Sequence, residues 1–395
     1  MTENRISKRV RDMVRMTMAD MAELADQRPG AFRLENADAY IPPATHILEA
    51  TRTAVGDDRH NSYLPLRGLL ELREAVAEDL HKAYGLAYDP DSEVVITSGA
   101  GEAMLNALLT VTDPGDQVLL TNPTYSGMAQ RVRLAGATQR FVDLDEASDW
   151  HLPDDDAVRV AGQGADAIFY ASPCMPSGTI FTPRETELLA DVARTNDAVI
   201  IFNASLDKIR FDGRKIVNPA TLPGMAERTV TIGSVSKNYN MMGWRIGWVA
   251  GPKELVRPME DVHIFSAIMP NGFAQAGAVA ALTGEQRWQD ELVSAYATNR
   301  DLVVDALRQS PALRVVPAEG GYFLLVNIGA VGIRSPEFAR RLLDATGVAV
   351  SPMVAWGSDD FGYDHVRIIF TDEPPDRISE ACKRIVAFVG SLVKK

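Results

Sequence analysis

Ser234-Val235-Ser236-Lys237, with Gly243-Trp244-Arg245-Ile246-Gly247-Trp248 shortly after it, holds the side chains best suited to chemistry. A β-rich run over 228–232 delivers the lysine into a loop rich in Ser, Gly and Asn. A lysine desolvated at the end of a buried strand holds its proton less tightly, and the free amine attacks carbonyls. Ser234 offers a hydroxyl donor and Arg245 a planar, permanently charged fork, both suited to a phosphate. An amine that forms a Schiff base beside a phosphate clamp points to pyridoxal phosphate. A surface Lys and Arg near a turn fit the same residues, so the other segments have to decide.

Thr97-Ser98-Gly99-Ala100-Gly101-Glu102 closes one strand-like run and opens a helical one. Its small residues let helix-start N–H groups approach an anion, although the dinucleotide glycine fingerprint and a Walker lysine are missing. Asn122-Pro123-Thr124-Tyr125 offers a ring that either stacks on a planar cofactor or caps the sheet edge. Ser172-Pro173-Cys174-Met175-Pro176-Ser177-Gly178 is a rigid double-proline turn. With no histidine nearby in sequence, Cys174 reads as a small packing residue rather than a nucleophile. Arg367, among the apolar residues of 365–370, is either a solvated charge or a carboxylate clamp.

The elements that must position these groups alternate along the chain. Apolar β-branched runs at 93–97, 117–121, 139–144, 166–171, 198–203, 228–232 and 246–250 are interleaved with helical stretches such as 102–109, 127–134 and 183–196. That alternation predicts an α/β fold whose large domain holds a mostly parallel, seven-stranded sheet covered by helices, with ligands at the strands' carboxyl ends. A long helix from about 288 to 307, strands at 322–327, 348–351 and 366–370 and helices at 336–346 and 375–393 predict a smaller α+β domain. The expected division is an N-terminal helix and arm over 1–50 packing with the small domain, a large domain over 51–287 and a small domain over 288–395. Within the arm, Val10, Met13, Val14, Met21 and Leu24 predict one amphipathic helix.

A net charge of −13 argues against nucleic acid or anionic membrane as a partner. Two distant cysteines, Cys174 and Cys382, suit a reducing cytoplasm, and six scattered histidines give no metal-ligand spacing. The chain shows no apolar run of membrane-spanning length and no signal-peptide core.

Taken together, the order and spacing of these segments resemble the fold type I pyridoxal-phosphate enzymes, specifically the class I/II aminotransferase (aspartate aminotransferase) superfamily. The resemblance runs from about residue 34 to 370, and the family's S-x-S-K…G-x-R-x-G signature is matched by Ser234, Lys237 and Arg245. It implies that Lys237 is the Schiff-base lysine and proton shuttle, and that Ser234, Arg245 and the backbone of Ala100 and Gly101 hold the phosphate. Tyr125 would stack on the ring, Asn203 would face the ring nitrogen, and Arg367 would grip the substrate α-carboxylate with Ala37 beside it. Tyr63, in a Tyr-x4-Gly-x3-Leu-Arg context, resembles the tyrosine that reaches a neighbouring subunit's phosphate, which implies a homodimer with shared active sites.

Three departures fall on the chemistry. Where the family has the asparagine on the cofactor's phenolic oxygen, this chain has Met175. In place of the ring-nitrogen aspartate and the phenolic-oxygen tyrosine stand Asn203 and Leu206. The N-terminal loop Glu35-Asn36-Ala37-Asp38 lacks the family's glycines. Asn203 hydrogen-bonds but carries no charge with which to raise the ring pKa. The expected function is a cytoplasmic, pyridoxal-phosphate-dependent aminotransferase using an amino acid and a keto acid. The alternative keeps the cofactor but runs a lyase, β- or γ-replacement, racemase or specialised biosynthetic reaction. The sequence leaves open whether Trp356, Tyr40 and Met175 face the pocket.

Overall fold

The structure, a computed structural model, describes residues 5–14 and 17–393. Its strands in chain order are β1 (Phe32–Leu34), β2 (Val94–Thr97), β3 (Gln117–Asn122), β4 (Thr138–Asp143), β5 (Ala167–Ala171) and β6 (Val199–Asn203). They continue with β7 (Thr229–Ser234), β8 (Gly247–Ala250), β9 (Arg314–Val315), β10 (Phe323–Asn327), β11 (Val348–Pro352) and β12 (His365–Ile369).

Seven strands form the larger sheet in the order β2-β8-β7-β6-β5-β3-β4. All its neighbours are parallel except at β8, which runs antiparallel to both β2 and β7. The central strands are apolar on both faces because both are covered. Leu119, Ile168 and Ile200 pack with Leu188, Leu189 and Val192 of the helix Pro183–Asn196. Their chain neighbours Leu120, Phe169 and Ile201 point the other way, into Met104 and Leu108 of the helix Ala100–Val111 and Val132 of the helix Ser126–Ala135. A period of two, apolar in both phases, is what a doubly covered parallel strand requires. The parallel strands therefore end side by side at Asn122, Ala171, Asn203 and Ser234, with Thr97 of β2 on the same edge.

Gly247 fixes how closely that edge is assembled. A Cβ there would lie 2.5 Å from the Ala100 nitrogen and 2.6 Å from the Gly99 carbonyl carbon, both backbone atoms that cannot swing aside. Gly247→Ala is expected to cost about 1–3 kcal/mol through overpacking. Urea unfolding would read this as a lower midpoint with an unchanged slope.

The smaller sheet has the order β1-β11-β12-β10-β9, with β1 parallel to β11 and the rest antiparallel. Its core joins Met21, Phe32 and Leu34 from the N-terminal part to Val303, Phe338 and Ile385, and takes in Leu206, Ile209 and Phe211 from the segment after β6. The seven large-sheet strands and the three small-sheet strands expected from sequence are present, with ends shifted by a residue or two.

One expectation needs correction, and several elements are additional. The single N-terminal helix is instead two helices, Lys8–Arg11 and Thr17–Asp26. Val10, Met13 and Val14 are exposed, whereas Met21 enters the core and Leu24 packs against it. β1 and β9 and the helices Lys253–Ala267 and Gly272–Thr283 were not anticipated. Strands of two or three residues carry too few alternations to register as a pattern. Among the described residues, no helix is long and apolar enough to cross a membrane.

Candidate active site

A cleft with about 860 Å³ of empty space opens at the carboxyl edge of the large sheet, facing β12 and the segment before β10. It brings together Ala37, Ala100, Gly101, Tyr125, Asn203, Ser234, Lys237, Arg245 and Arg367 from across the sequence. Each is placed by a specific element.

Lys237 follows β7 in the one-turn helix Val235–Asn238. Burial, with the charges of Arg245 and Arg367 behind it, pushes its amine down to about 8. The Ser234 hydroxyl caps that turn, accepting from the Ser236 N–H at 3.0 Å, and lies 2.9 Å from the Ile246 carbonyl. Arg245 has a positive φ of 54° and stands exposed at the mouth. Its Nη1 donates to the Met242 carbonyl at 2.9 Å and to the Ser236 hydroxyl at 3.2 Å.

Gly99 precedes the helix Ala100–Val111 with a φ of +84°, and a Cβ there would lie 2.3 Å from Arg245 Nη2. The glycine thus lets the guanidinium close onto the helix start. The first-turn N–H groups of Ala100 and Gly101 have no acceptor within their own helix, and the dipole adds positive potential there.

Tyr125 lies 5.6 Å from the Trp356 ring, tilted by 56°. Gly127 leaves room for it, since a Cβ at that position would lie 2.4 Å from the Tyr125 ring. Arg367 is 2 % exposed at the centre of the small sheet, opposite Ser351 and Leu325. Its guanidinium carbon sits 4.5 Å over the Trp356 ring, and Nη2 donates to the Glu35 carbonyl at 3.0 Å. Burial pushes this group down to about 10. Arg367 is therefore no solvated charge.

Asn203 ends β6 with 3 % exposure. Its Oδ1 accepts from the Ser205 N–H at 3.1 Å and from the Ser205 hydroxyl at 2.6 Å. Its Nδ2 lies 4.0 Å from each of the Met104 and Met128 sulfurs. Met175 and Leu206 line the cleft, while Tyr40 does not. Cys174 is fully buried and its thiol is pushed up to about 11, which makes it an inert packing residue.

Tyr63 lies outside the cleft. It is 81 % exposed and lines a separate shallow depression with Asn61, Ser62 and Met269.

Sequence reasoning missed Arg131, Ser205, Tyr322 and Phe323, which also line the cleft. The Arg131 guanidinium is fixed by the Gly101 and Gly127 carbonyls, both at 2.7 Å. The aromatic pair after Gly320-Gly321 was the visible signal for Tyr322 and Phe323, whereas Arg131 had none beyond helix phase.

The charges lining the cleft are all positive: Arg131, Lys237, Arg245 and Arg367, with no aspartate or glutamate among the lining residues. Helix-start amides, two serine hydroxyls and an arginine suit a phosphate, a buried amine suits an aldehyde, and Tyr125 suits a flat ring. The donor set fits pyridoxal phosphate.

Residues 30–385 match the family described as aminotransferase class I and II. An aspartate aminotransferase of Pyrococcus abyssi is 32% identical over 342 residues, covering 86% of this chain and 87% of that protein. An arginine–pyruvate transaminase of Pseudomonas aeruginosa is 31% identical over 354 residues, covering 90% and 88%. The solved structure of N-succinyldiaminopimelate aminotransferase from Mycobacterium tuberculosis is similar with a TM-score of 0.91 at 30% identity, covering 97% of this chain and 99% of that one.

Proposed function

This chain belongs to the class I and II aminotransferases, which use pyridoxal 5'-phosphate, and we propose that its amino transfer is carried by Lys237 and Arg367 across the cleft described above. The observation that carries this assignment is the pairing itself: a buried amine and a buried guanidinium face one cavity whose lining holds no carboxylate. A positive lining of this kind accommodates a phosphate and a substrate α-carboxylate together.

When bound, pyridoxal phosphate supplies an aldehyde carbon that primary amines attack and a ring that makes the substrate Cα–H acidic. Ser234, Arg245 and the first-turn amides of Ala100 and Gly101 hold the phosphate. Tyr125 would pack on one ring face, and Asn203 would face the ring nitrogen. Arg367, with its guanidinium carbon held over Trp356, would bind the α-carboxylate in the same cleft as Lys237. Lys237 Nζ takes the Cα proton as general base and returns it as general acid. Ala37 lies beside the substrate, and the buried walls around Arg367 keep water from the carboxylate.

The direct test is to add single amino acids to the loaded enzyme without keto acid and follow absorbance and product. One equivalent of keto acid per site, with loss of the lysine-linked cofactor band, supports the assignment. Release of ammonia or a racemised amino acid with the band intact would replace amino transfer by elimination or racemisation.

The depressed amine gives a pH prediction. With Lys237 at about 8, the cofactor-free protein carries mostly protonated, unreactive lysine at pH 7. The rate of reloading with pyridoxal phosphate should rise with pH through about 8 and then level off. Rapid-mixing absorbance would check this, and a midpoint near the ordinary lysine value of about 10.4 would remove the argument from burial.

We place Tyr63 at the phosphate of a second copy in a homodimer. Support comes from its 81 % exposure beside Met269, outside this chain's own cleft. The N-terminal arm over 1–50 is assigned to the small domain over 288–395, and the large domain to 51–287. The core shared by Met21, Phe32 and Ile385 supports that division. Two buried free cysteines support a cytoplasmic setting, and the net charge of −13 supports small-molecule rather than nucleic-acid partners.

A further inference from the structure

Asn203 has a defined direction. The Ser205 backbone N–H, 3.1 Å from one end of its amide, can only donate, so that end is the carbonyl oxygen. The Ser205 hydroxyl, at 2.6 Å, adds a second bond to the same oxygen. The NH2 end is consequently turned away, towards the Met104 and Met128 sulfurs, each at 4.0 Å. A thioether is a weak acceptor, so this buried NH2 retains its capacity to donate. Asn203 and Met104 both line the cleft.

We propose that Asn203 donates through Nδ2 to the ring nitrogen of bound pyridoxal phosphate and thereby keeps that nitrogen unprotonated. The inference rests on the reading that this cleft takes the cofactor. Two facts carry it beyond the mere absence of an aspartate. First, an N–H cannot face a protonated ring nitrogen, because two donors would then abut, and the amide cannot flip without stranding the Ser205 N–H. Second, no carboxylate is among the cleft's lining residues: its charged side chains are Arg131, Lys237, Arg245 and Arg367, with Tyr125 and Tyr322 as the other ionisable groups, and the carboxylates of Asp38 and Glu35 that act on Lys237 and Arg367 lie outside that lining. A carboxylate beside the ring nitrogen would favour its protonation, and the lining supplies none.

Several consequences follow for the chemistry. A neutral ring withdraws electrons less strongly, so removal of the Cα proton depends more on the basicity and placement of Lys237. Ser205 becomes a positioning residue whose backbone, rather than its hydroxyl, sets the donor direction. Asn203→Asp is the informative variant because it is nearly isosteric and keeps both Ser205 bonds on one carboxylate oxygen. Its second oxygen takes the place of the NH2 and presents a negative acceptor to the ring.

The experiment is nitrogen-15 NMR of enzyme loaded with cofactor labelled at the ring nitrogen, in the resting state without amino acid. The wild-type signal is expected in the neutral pyridine range, and the Asn203→Asp signal shifted to the pyridinium range. Ser205→Ala should leave the wild-type position unchanged, because the backbone bond survives. A pyridinium signal in the wild-type enzyme would overturn the inference while leaving cofactor binding established. Failure of both wild-type and variant protein to retain the label would overturn the inference and the cleft assignment together.

Discussion

Lys237→Ala is expected to lose at least about three orders of magnitude in kcat while the protein stays folded. The lysine is held where its amine is neutral for a useful fraction of the time near neutral pH, because burial, Arg245 and Arg367 all oppose its charge. Removing it takes away the group proposed to move the Cα proton, yet it also relieves a crowded positive field. The thermal midpoint should therefore be unchanged or slightly higher, which separates a chemical loss from a folding loss. Lys237→Arg sharpens the test. It keeps a cation at the same place, but a guanidinium does not give up its proton under these conditions. The arginine variant should be as inactive as the alanine variant if proton transfer is what the lysine supplies. Activity within tenfold of wild type in Lys237→Arg would show that charge alone suffices and would remove the general-base role.

The parts of this site that were legible in sequence are those set by strand ends. Ser234, Lys237 and Asn203 follow or close apolar runs, and a covered parallel sheet exposes such positions on one edge. The residues that escaped notice depend on rotation about an element or on contacts distant in sequence. Arg131 reaches the cleft through the phase of the helix Ser126–Ala135, and its sequence neighbours Arg133 and Gln130 do not line it. Arg367 was visible as a candidate, but the ring it lies over comes from Trp356, on the segment between β11 and β12. The orientation of Asn203 is set by a backbone N–H two residues on, which no residue type could signal. Tyr63 lies outside this chain's cleft, and the role proposed for it requires a second copy.

Arg367→Gln is expected to lower kcat/KM for the amino acid by about 10²–10³-fold, within the roughly 2–5 kcal/mol typical of breaking a buried charge-assisted pair. Most of the loss should appear in KM, because in the proposed role the carboxylate is gripped before and during proton transfer alike. Glutamine is two bonds shorter and gives up the bond to the Glu35 carbonyl, now made by Nη2 at 3.0 Å, so unfolding is measured beside the kinetics to separate the two losses. Arg367→Lys should fare no better. An ammonium on a shorter stem lacks the flat face that lies 4.5 Å over Trp356 and the fork that meets both carboxylate oxygens. Cofactor loading, read from absorbance, should be preserved in both variants, because the phosphate is assigned to Ser234, Arg245 and the helix start. A KM that does not move in Arg367→Gln would transfer the carboxylate to Arg131, the remaining guanidinium of the cleft not assigned to the phosphate, and Arg131→Gln would then carry the KM effect instead.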